Sequence, residues 1–481
     1  MCPDLALCEI TSSEGAPLGW VLGHAVDAEG ILLSDRTKLP ISQSDPKIAD
    51  KVEDWVKWLS GRYVVLLDLP GETRAQRAYH DPLGSYGLVY DPQSRTLASS
   101  LLLCLDRDIV PSTNYRLQDS VLNDAQLSAL LPEFDPTLPP GGFGFGETPD
   151  AHVRRLLANR YIDLTDFSEH RFWPGNDDFS PLSMPEAAEI IVHRMRQLMI
   201  AFCKDLSGYF AISGGRDSRM LLAACPDLSQ SGIQLYSYAN NYMTTLDLRV
   251  AEEMARLVGR PILTQIPESG CRGSFLPHKR RAAPLRHRFA VSSGLMHTGD
   301  EWWQRGFARK LKPGGVWIRG NFLEIATARS WPRRNQSLRN EMGHALENLR
   351  IGLGDDADRA RKMAQLKEWS TSFDYDFERH FHDYTYMDLT TAPPQANFHG
   401  YNQQFYVAPA SDRQIFRASM QVPGKLRQNT SFYDEIMRQL NATMHAIPLA
   451  KPTAYHSRRI GANATELLED KINAYRTAMN V

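Results

Sequence analysis

The sequence predicts an α/β protein with a β-rich N-terminal domain, a parallel-sheet domain and a helical C-terminal part. Short apolar runs separated by turn residues fill the first 110 residues, as expected for strands. From residue 183 strand and helix patterns alternate, which is typical of a parallel sheet covered by helices. Helical patterns dominate the last third of the chain. We therefore divide the chain into domains at 1–115 and 183–481, with an interdomain connection at 116–182.

The N-terminal domain has one predicted helix among its strands. Lys47–Leu59 has helical spacing, with an apolar face of Ile48, Val52, Trp55 and Val56. The predicted strands are Trp20–Val26, Ile31–Leu33, Tyr63–Leu67, Arg77–His80, Leu88–Tyr90 and Thr96–Leu103. The connection that follows is rich in Pro, Gly, Asn and Asp, which predicts little core of its own.

The second domain begins with a predicted helix near Ser183. Ser183 and Glu186 form a capping box, and Pro185 suits the first turn. The later elements are strands at Phe210–Ile212, Ile233–Tyr238 and Ile262–Ile266, helices at Leu246–Val258 and Phe432–Ala446, and a strand, turn and helix within Gly315–Ile325. Ligands of such sheets bind beyond the carboxyl ends of the strands.

The first of these strands leads into Ser213-Gly214-Gly215-Arg216-Asp217-Ser218, which opens a helix. The two glycines permit positive φ, and the N–H groups of the helix start, with the two serine hydroxyls, suit a phosphate group. Asp217 would repel phosphates unless a divalent cation lay between them, so we interpret Asp217 as a Mg²⁺ ligand. No Lys-Ser or Lys-Thr follows the glycines, which excludes a Walker A loop.

The order Ser-Gly-Gly-Xaa-Asp-Ser resembles the PP-loop of ATP pyrophosphatases, which cleave ATP between its α and β phosphates. The resemblance implies an adenine nucleotide α-hydrolase-like domain whose ATP-binding residues are Ser213, Gly214, Gly215, Asp217 and Ser218. In that family the second strand frames adenine, which implies a place for Ser237 and Tyr238 beside the base. Asp247 also matches a common family position, but a carboxylate at a helix start stabilises the helix by itself, so we leave Asp247 out of catalysis.

Two segments of the N-terminal domain, Leu59–Leu67 and His80–Tyr90, resemble strands of asparagine synthetases and other class II glutamine amidotransferases, where a tight Asp-Xaa-Xaa-Gly turn lies between them. This resemblance implies an Ntn-hydrolase-like β-rich sandwich. Active glutaminases of this class use a cysteine at position 2, and Cys2 is present. The family's following Gly-Ile is Pro3-Asp4, and we find no Asn-Gly-Glu motif to hold glutamine. We therefore favour a catalytically silent domain, as in β-lactam synthetases and lasso-peptide cyclases.

The resemblance to asparagine synthetase-like proteins continues through the connection and beyond the loop. Val153–Leu164 and Arg171–Pro174 resemble the hairpin and Arg-Tyr-Trp segment that join the two domains in that family. Gly315–Ile325 aligns with Ser-Gly-Glu-Gly-Xaa-Asp-Glu, whose Asp shares Mg²⁺-pyrophosphate with the PP-loop, and this implies Glu324 as a second Mg²⁺ ligand. Arg319 is a candidate for contact with a phosphate or an acidic substrate, or for a surface salt bridge.

A lysine is also implied near the C-terminus. Family members place it after a helix and a Leu-Pro-like pair, where it balances charge as the acyl-adenylate is attacked. Ile447-Pro448-Leu449-Ala450-Lys451 follows the predicted last helix and makes Lys451 the candidate, with a solvated surface lysine as the alternative. The weaker candidates are Lys425, Arg427 and Arg438.

Composition excludes several classes of partner. The 481 residues carry a net charge of −2, so no basic face for nucleic acid is indicated. The apolar runs are too short to cross a bilayer and no signal peptide is visible, which predicts a cytoplasmic protein. The six cysteines have no CxxC spacing, which favours free thiols over disulfides or a zinc site.

We expect a Mg²⁺-dependent ligase or cyclase that uses ATP to adenylate a substrate carboxylate, releases AMP and pyrophosphate, and forms an amide bond in specialised biosynthesis. The expected partners are a small-molecule or peptide carboxylate and an amine acceptor, with a second copy of the chain as a candidate. Candidates for the acceptor pocket are His297, Asp300, Trp302 and Trp303, and core packing explains the two tryptophans at least as well. Two alternatives stay open: a glutamine-dependent asparagine synthetase using Cys2, and a nucleotide-binding protein that adenylates nothing.

Overall fold

The structure is a computed structural model that describes residues 5–71, 74–112, 144–225, 227–239, 241–265, 311–329, 331, 342–343, 345–346, 356–373, 377–391 and 404–479. These residues form a mixed α/β structure with a five-stranded parallel sheet and a helical C-terminal part. The predicted fold class is confirmed at that level. Two further sheets, of seven and three strands, precede the parallel sheet in the sequence.

The largest sheet belongs to the N-terminal region. Its strands are β1 (Leu7–Thr11), β2 (Pro17–Val26), β3 (Asp35–Lys38), β4 (Ser60–Leu69), β5 (Ala75–His80), β9 (Arg160–Asp163) and β10 (Ser168–Arg171). Their order is β10-β9-β5-β4-β2-β1-β3, and neighbours are antiparallel except β1 and β3. Strands β9 and β10 come from the predicted connection, which therefore extends the N-terminal sheet. The three-part division of the chain stays a prediction.

A smaller sheet and two helices complete the N-terminal region. They are β6 (Val89–Asp91), β7 (Thr96–Ala98) and β8 (Arg154–Arg155), in the order β7-β6-β8, with helices α1 (Ile48–Lys57) and α2 (Leu101–Cys104). Helix α1 confirms the predicted helix. The strand predicted over Thr96–Leu103 is wrong beyond Ala98, because burial of Leu101 and Cys104 three residues apart suits a helical turn. The predicted strand Ile31–Leu33 is reduced to a single bridge to β2.

A tight turn follows β5 at Asp81-Pro82-Leu83-Gly84. The buried Asp81 carboxylate accepts the Leu83 N–H at 3.2 Å and the Ser85 N–H at 3.0 Å. Gly84 closes the turn by donating to the Asp81 carbonyl at 2.9 Å, and its φ of 59° favours glycine. This is the Asp-Xaa-Xaa-Gly turn that the resemblance implied.

The parallel sheet follows. Its strands are β11 (Ser207–Ala211), β12 (Gly232–Tyr238), β13 (Ile262–Gln265), β14 (Val316–Arg319) and β15 (Phe405–Val407), in the order β13-β12-β11-β14-β15. Helices α3 (Met184–Asp205), α4 (Asp217–Ala224) and α5 (Tyr242–Leu257) connect or precede its strands. The capping box predicted at Ser183 is confirmed, since Ser183 accepts the Glu186 N–H and the Glu186 carboxylate accepts the Ser183 N–H.

The C-terminal part is helical. A 3₁₀ turn covers Leu323–Thr327 and a π-helical turn Tyr386–Thr391, and the α-helices are α6 (Asp356–Ser370), α7 (Phe377–Thr385), α8 (Arg413–Gln421), α9 (Gly424–Gln428), α10 (Ser431–Ala446), α11 (Ala450–Ile460) and α12 (Ala464–Met479). Helix α10 confirms the helix predicted over Phe432–Ala446. Within the described residues, no helix is both long and apolar enough to cross a membrane.

Buried polar groups connect the N-terminal sheet to these helices. Arg194 on α3 donates to Asp412 at 2.8 Å and to the Ser60 hydroxyl at 2.9 Å, and Ser60 also donates to Asp412. Both charged side chains are only 1% exposed. Asp412 in addition caps α8 by accepting the Ile415 N–H at 2.7 Å. A single carboxylate thus joins the starts of β4 and α8 to the middle of α3.

We predict that Arg194→Leu lowers the free energy of unfolding by about 3–5 kcal/mol, because it leaves the Asp412 carboxylate buried without its cation. Urea unfolding followed by circular dichroism measures this. Arg438→Leu is the matched control: its partner Glu435 lies on the same helix and its own side chain is 57% exposed, so the cost should stay below about 1 kcal/mol. Equal losses in the two variants would contradict the prediction.

Candidate functional site

The candidate site lies where the order of the parallel sheet reverses. From β11 the chain continues to β12 on one side, whereas β14 lies on the other side of β11 and leads to β15. The space between such diverging connections, beyond the strand carboxyl ends, is the usual ligand position in open α/β sheets. The Ser213–Ser218 loop follows β11 and Glu324 follows β14, so both predicted segments leave the sheet at this point.

Ser213 and Ser218 hold the loop in a closed turn. The Ser213 N–H donates to Ser218 Oγ at 3.0 Å, and the Ser218 hydroxyl donates to the Ser213 carbonyl at 3.2 Å. The Gly215 N–H donates to Ser213 Oγ at 3.3 Å. These bonds fix the turn, and Gly214 and Gly215 lie on the wall of the adjacent cleft.

The glycines of the site provide space. Neither Gly214 nor Gly215 has positive φ, so the turn does not need these glycines for a left-handed backbone conformation, contrary to our expectation. A Cβ atom on Gly214 would lie 2.8 Å from Asp247 Oδ1 and 2.9 Å from Ala450 Cβ. Gly320, directly after β14, is equally constrained, since a Cβ atom there would lie 2.4 Å from the Ser218 nitrogen. The two segments therefore cross at backbone contact distance.

The crossing sets two carboxylates against each other. Burial raises the pKa of Asp217 well above its ordinary value, the negative charge of Glu324 raises it further, and Arg329 and Arg216 oppose the shift. Asp217 itself is half-buried at the start of α4. Two like charges at a partly desolvated site repel each other. A cation bound between them would remove this repulsion.

Glu324 is held in place by neighbouring donors. Its Oε2 accepts the Phe322 N–H at 2.9 Å and the Tyr386 hydroxyl at 2.8 Å. Its Oε1 pairs with Arg329 at 3.2 Å, but the Arg329 side chain is 67% exposed, so this ion pair is weak. The carboxylate has lone pairs beyond those that these donors use. It is therefore oriented while still able to bind a ligand.

Asp217 and Glu324 fit one kind of metal site. Within the described residues, no group of three or more His, Cys, Asp or Glu side chains gathers to hold a metal ion. Mg²⁺ in nucleotide sites is commonly bound by one or two carboxylates and completes its shell with phosphate oxygens and water. Two carboxylates on the wall of one cleft are what such an ion requires from the protein.

Lys451 lines the same cleft, which has a volume of about 510 Å³. Its lining includes Gly214, Gly215, Arg216, Asp217, Glu324 and Lys451. The Lys451 Nζ lies 5.9 Å from the centre of the Tyr455 ring, within the range of a cation–π contact. The structure thus brings together the loop, the segment after β14 and the start of α11.

Arg219 fixes the chain that leads to Lys451. Its buried guanidinium donates to the carbonyls of Met444 at 3.4 Å, of Ile447, and of Pro448 at 3.0 Å. Arg219 lies two residues after Asp217 on α4, so one side chain ties the loop helix to the segment before Lys451. Sequence reasoning missed Arg219, although a charged residue on the apolar stretch that follows Asp217 was a visible signal.

Asp247 is also closer to the site than expected. Helix α5 begins five residues earlier, at Tyr242, with a capping box from Asn241 and Thr244, so the expected place of Asp247 at the helix start is wrong. Its carboxylate packs on Gly214. Burial raises the pKa of Asp247 to about 6, against the opposing effects of the Lys451 charge and the hydrogen bond with the Gly214 backbone.

Ser237, Tyr238 and Arg319 do not belong to the described wall of this cleft. Ser237 is buried, with 4% of its surface exposed. The Tyr238 ring lies 6.4 Å from that of Tyr236, and the Arg319 guanidinium lies 5.9 Å from the Trp317 ring. These three residues end β12 and β14 at the correct edge of the sheet but face other neighbours.

Three non-glycine residues around the cleft have left-handed backbone conformations. The φ angles are 79° for Phe322, 43° for Ala328 and 71° for Thr430. Such conformations cost roughly 1–3 kcal/mol each and tend to cluster at functional sites. Phe322 precedes Glu324 and presents the N–H that Glu324 accepts, so the strained turn orients the carboxylate.

Arg427, a weaker candidate for the family lysine, has a structural role. It donates to Asp383 at 3.0 and 2.7 Å and to the Ile325 carbonyl at 2.7 Å, which supports the segment that carries Glu324. Lys425 is exposed and absent from the described wall of the cleft. Cys2 and the acceptor-pocket candidates His297, Asp300, Trp302 and Trp303 lie outside the described residues.

Comparison with known proteins leaves the family open. No protein-family model matches the chain, and no curated protein matches it.

We predict that Arg219→Met lowers the free energy of unfolding by about 2 kcal/mol or more, because it leaves the carbonyls of Ile447 and Pro448 without a buried donor. Arg196→Met is the matched control, since Arg196 also donates to carbonyls on α10 but is exposed, so that water replaces it. Urea unfolding compares the two. Faster hydrogen exchange over residues 447–455 only in Arg219→Met would locate the loss, and equal stability of both variants would contradict the prediction.

A second prediction concerns acid stability. Burial alone would raise the pKa of Asp383, but the charge and hydrogen bonds of Arg427, with His380, lower it from 3.8 to about 2. A depressed carboxyl pKa stabilises the fold above pH 3.8, and this stabilisation, about 2 kcal/mol, is lost as the pH falls towards 2.

Asp383→Asn should therefore be less stable at neutral pH and lose less stability than wild type between pH 4 and 2, as urea midpoints across this range will measure. Asp54→Asn, which removes an exposed carboxylate, should follow the wild-type curve. Parallel curves for Asp383→Asn and wild type would exclude this role of the pair.

Proposed function

We propose that this protein is an ATP- and Mg²⁺-dependent, AMP-forming carbon–nitrogen ligase. The observation that carries the proposal is the convergence of the Ser213–Ser218 loop, Glu324 and Lys451 on one cleft at the reversal point of the parallel sheet. The PP-loop order of residues in that loop supports cleavage of ATP between the α and β phosphates. As part of the same proposal, the parallel sheet belongs to an adenine nucleotide α-hydrolase-like domain and the N-terminal sheets to a degenerate Ntn-hydrolase-like domain.

Asp217 and Glu324 are the residues that would hold Mg²⁺. The ion, when bound, supplies charge neutralisation to the pyrophosphate leaving group. The mutual repulsion of the two carboxylates and the fixed orientation of Glu324 support this role. Tyr386 contributes by holding Glu324 with its hydroxyl.

The chain's own groups account for the first step of the reaction. Backbone N–H groups at the start of α4 bind phosphate oxygens. A substrate carboxylate oxygen attacks the α-phosphorus, the bond to the bridging oxygen of the β-phosphate breaks, and that oxygen leaves with pyrophosphate. The product is an acyl-adenylate.

Lys451 serves the second step. An amine, free or within the same substrate, attacks the acyl carbon, the bond from that carbon to the AMP oxygen breaks, and the amine releases a proton to solvent as AMP leaves. The Lys451 ammonium donates hydrogen bonds to the negative charge that develops on the carbonyl oxygen. Arg219 and the contact of Ala450 with Gly214 keep the lysine at the phosphate loop. Cytoplasmic location, a role in specialised biosynthesis, a homodimer and adenine binding near Ser237 and Tyr238 stay predictions.

The test is ATP/pyrophosphate exchange across a panel of amino acids and peptides, with each substrate carboxylate scored separately. For a substrate that supports exchange, Asp217→Asn and Glu324→Gln should each lower the rate roughly 10²-fold or more, because each removes a carboxylate that would hold the Mg²⁺ ion, and that ion neutralises charge on pyrophosphate. Asp227→Asn, an exposed carboxylate elsewhere, should leave the rate unchanged.

Lys451→Met should depress amide formation more than exchange, and Lys425→Met should affect neither. ATP binding without exchange for any substrate would favour the alternative of a nucleotide-binding protein. Exchange that survives in both carboxylate variants would refute the assigned site.

A further inference from the structure

Arg216 occupies the variable position of the loop, between Gly215 and Asp217, and lines the cleft. Its guanidinium lies 5.1 Å from the centre of the Tyr433 ring, which orients it by a cation–π contact. Its Nε is buried and makes no hydrogen bond within the described part of the chain. Arg219 has a similar buried Nε, so what sets Arg216 apart is its place on the cleft wall.

The other cationic side chains in or near the cleft already have partners within the protein. Arg329 pairs with Glu324, and Lys451 lies against Tyr455. Arg219, three residues further along the loop helix, donates to backbone carbonyls. Arg216 thus differs from Arg219 in lining the cleft, whereas the terminal nitrogens of Arg219 donate to backbone carbonyls away from it.

We infer that Arg216 binds the pyrophosphate portion of a nucleoside triphosphate, and this inference rests on the proposed function. A planar guanidinium with paired donors matches phosphate oxygens, which it binds in bidentate geometry. Arg216 directly precedes α4, whose first N–H groups would bind the same oxygens, so the start of that helix sets the position of its side chain. A substrate carboxylate has the same chemistry, but it reacts at the α-phosphorus, away from the β and γ phosphates that the loop cradles.

The charge of Arg216 has a consequence for the reaction. When the bond between the α-phosphorus and the bridging oxygen breaks, negative charge accumulates on pyrophosphate. Arg216 offsets this charge in addition to what the metal supplies, and no electron or proton transfer is needed. Arg216 is then a catalytic residue that touches the leaving group, and the Tyr433 ring is its positioning partner.

The test is isothermal titration of the full chain with inorganic pyrophosphate in the presence of Mg²⁺. Arg216→Gln should weaken binding at least about tenfold, the loss expected for a charge-assisted hydrogen bond. Arg216→Lys keeps the positive charge but loses the paired donors of the guanidinium, so its affinity for pyrophosphate should lie between those of wild type and Arg216→Gln. Arg438→Gln, an exposed arginine on α10 outside the described cleft wall, should bind as wild type. Unchanged melting temperatures exclude a folding defect.

The outcomes separate this inference from the proposed function. Pyrophosphate binding by wild type with no loss in Arg216→Gln overturns the role of Arg216 and leaves the ligase proposal standing. Loss of exchange in Arg216→Gln with unchanged pyrophosphate binding also overturns it, because the guanidinium then acts on the substrate carboxylate. If wild type binds neither Mg²⁺-pyrophosphate nor Mg²⁺-ATP, the proposed function fails and this inference with it.

Discussion

The pairing of β11 with β14 is the constraint on which the site depends. Parallel neighbours end at the same edge of a sheet, and here Ala211 lies beside Arg319 in the register. The segments that leave them must cross within a few residues, and Gly320 allows this crossing because any side chain there would collide with the Ser218 nitrogen. The crossing brings Asp217 and Glu324 together. Their mutual repulsion contributes to the raised pKa of Asp217.

Buried ionic groups hold the elements around the parallel sheet together. Asp412 joins Arg194 and Ser60, and Asp388 accepts from Asn159 at 2.9 Å and from Arg171 at 2.8 Å. Each set links the N-terminal region to C-terminal helices, so the two halves of the chain are tied by groups that cannot be left unpaired without a large penalty. Polar residues of the N-terminal region thereby complete the core around the C-terminal helices.

The cleft itself is completed by the end of the chain. Ala450 lies on Gly214, and Arg219 binds the carbonyls that precede it, so the start of α11 is fixed to the Ser213–Ser218 loop from two sides. A lysine on such a helix start lines the cleft without being buried. Because Lys451 is exposed, its placement depends on the backbone around it and not on packing of its own side chain.

The sequence by itself determined the local features of this protein. The strand, turn and helix around Ser213–Ser218, the capping box at Ser183, the turn at Asp81 and the helix before Lys451 follow from rules that act within a few residues. The alignment with the resembled family also predicted Glu324 and Lys451 as site residues; both line the cleft beside the loop, and their roles stay predictions.

Only the tertiary structure decided the role of the glycines and the contact of Asp247 with the loop. It also decided the hydrogen bonds from Arg219 to the carbonyls before Lys451 and the addition of β9 and β10 to the N-terminal sheet. Those features join residues that lie far apart in the chain, where neither periodicity nor turn chemistry carries information about which partner a side chain meets. The physical reason is that packing and hydrogen-bond satisfaction of buried groups are settled by the whole fold.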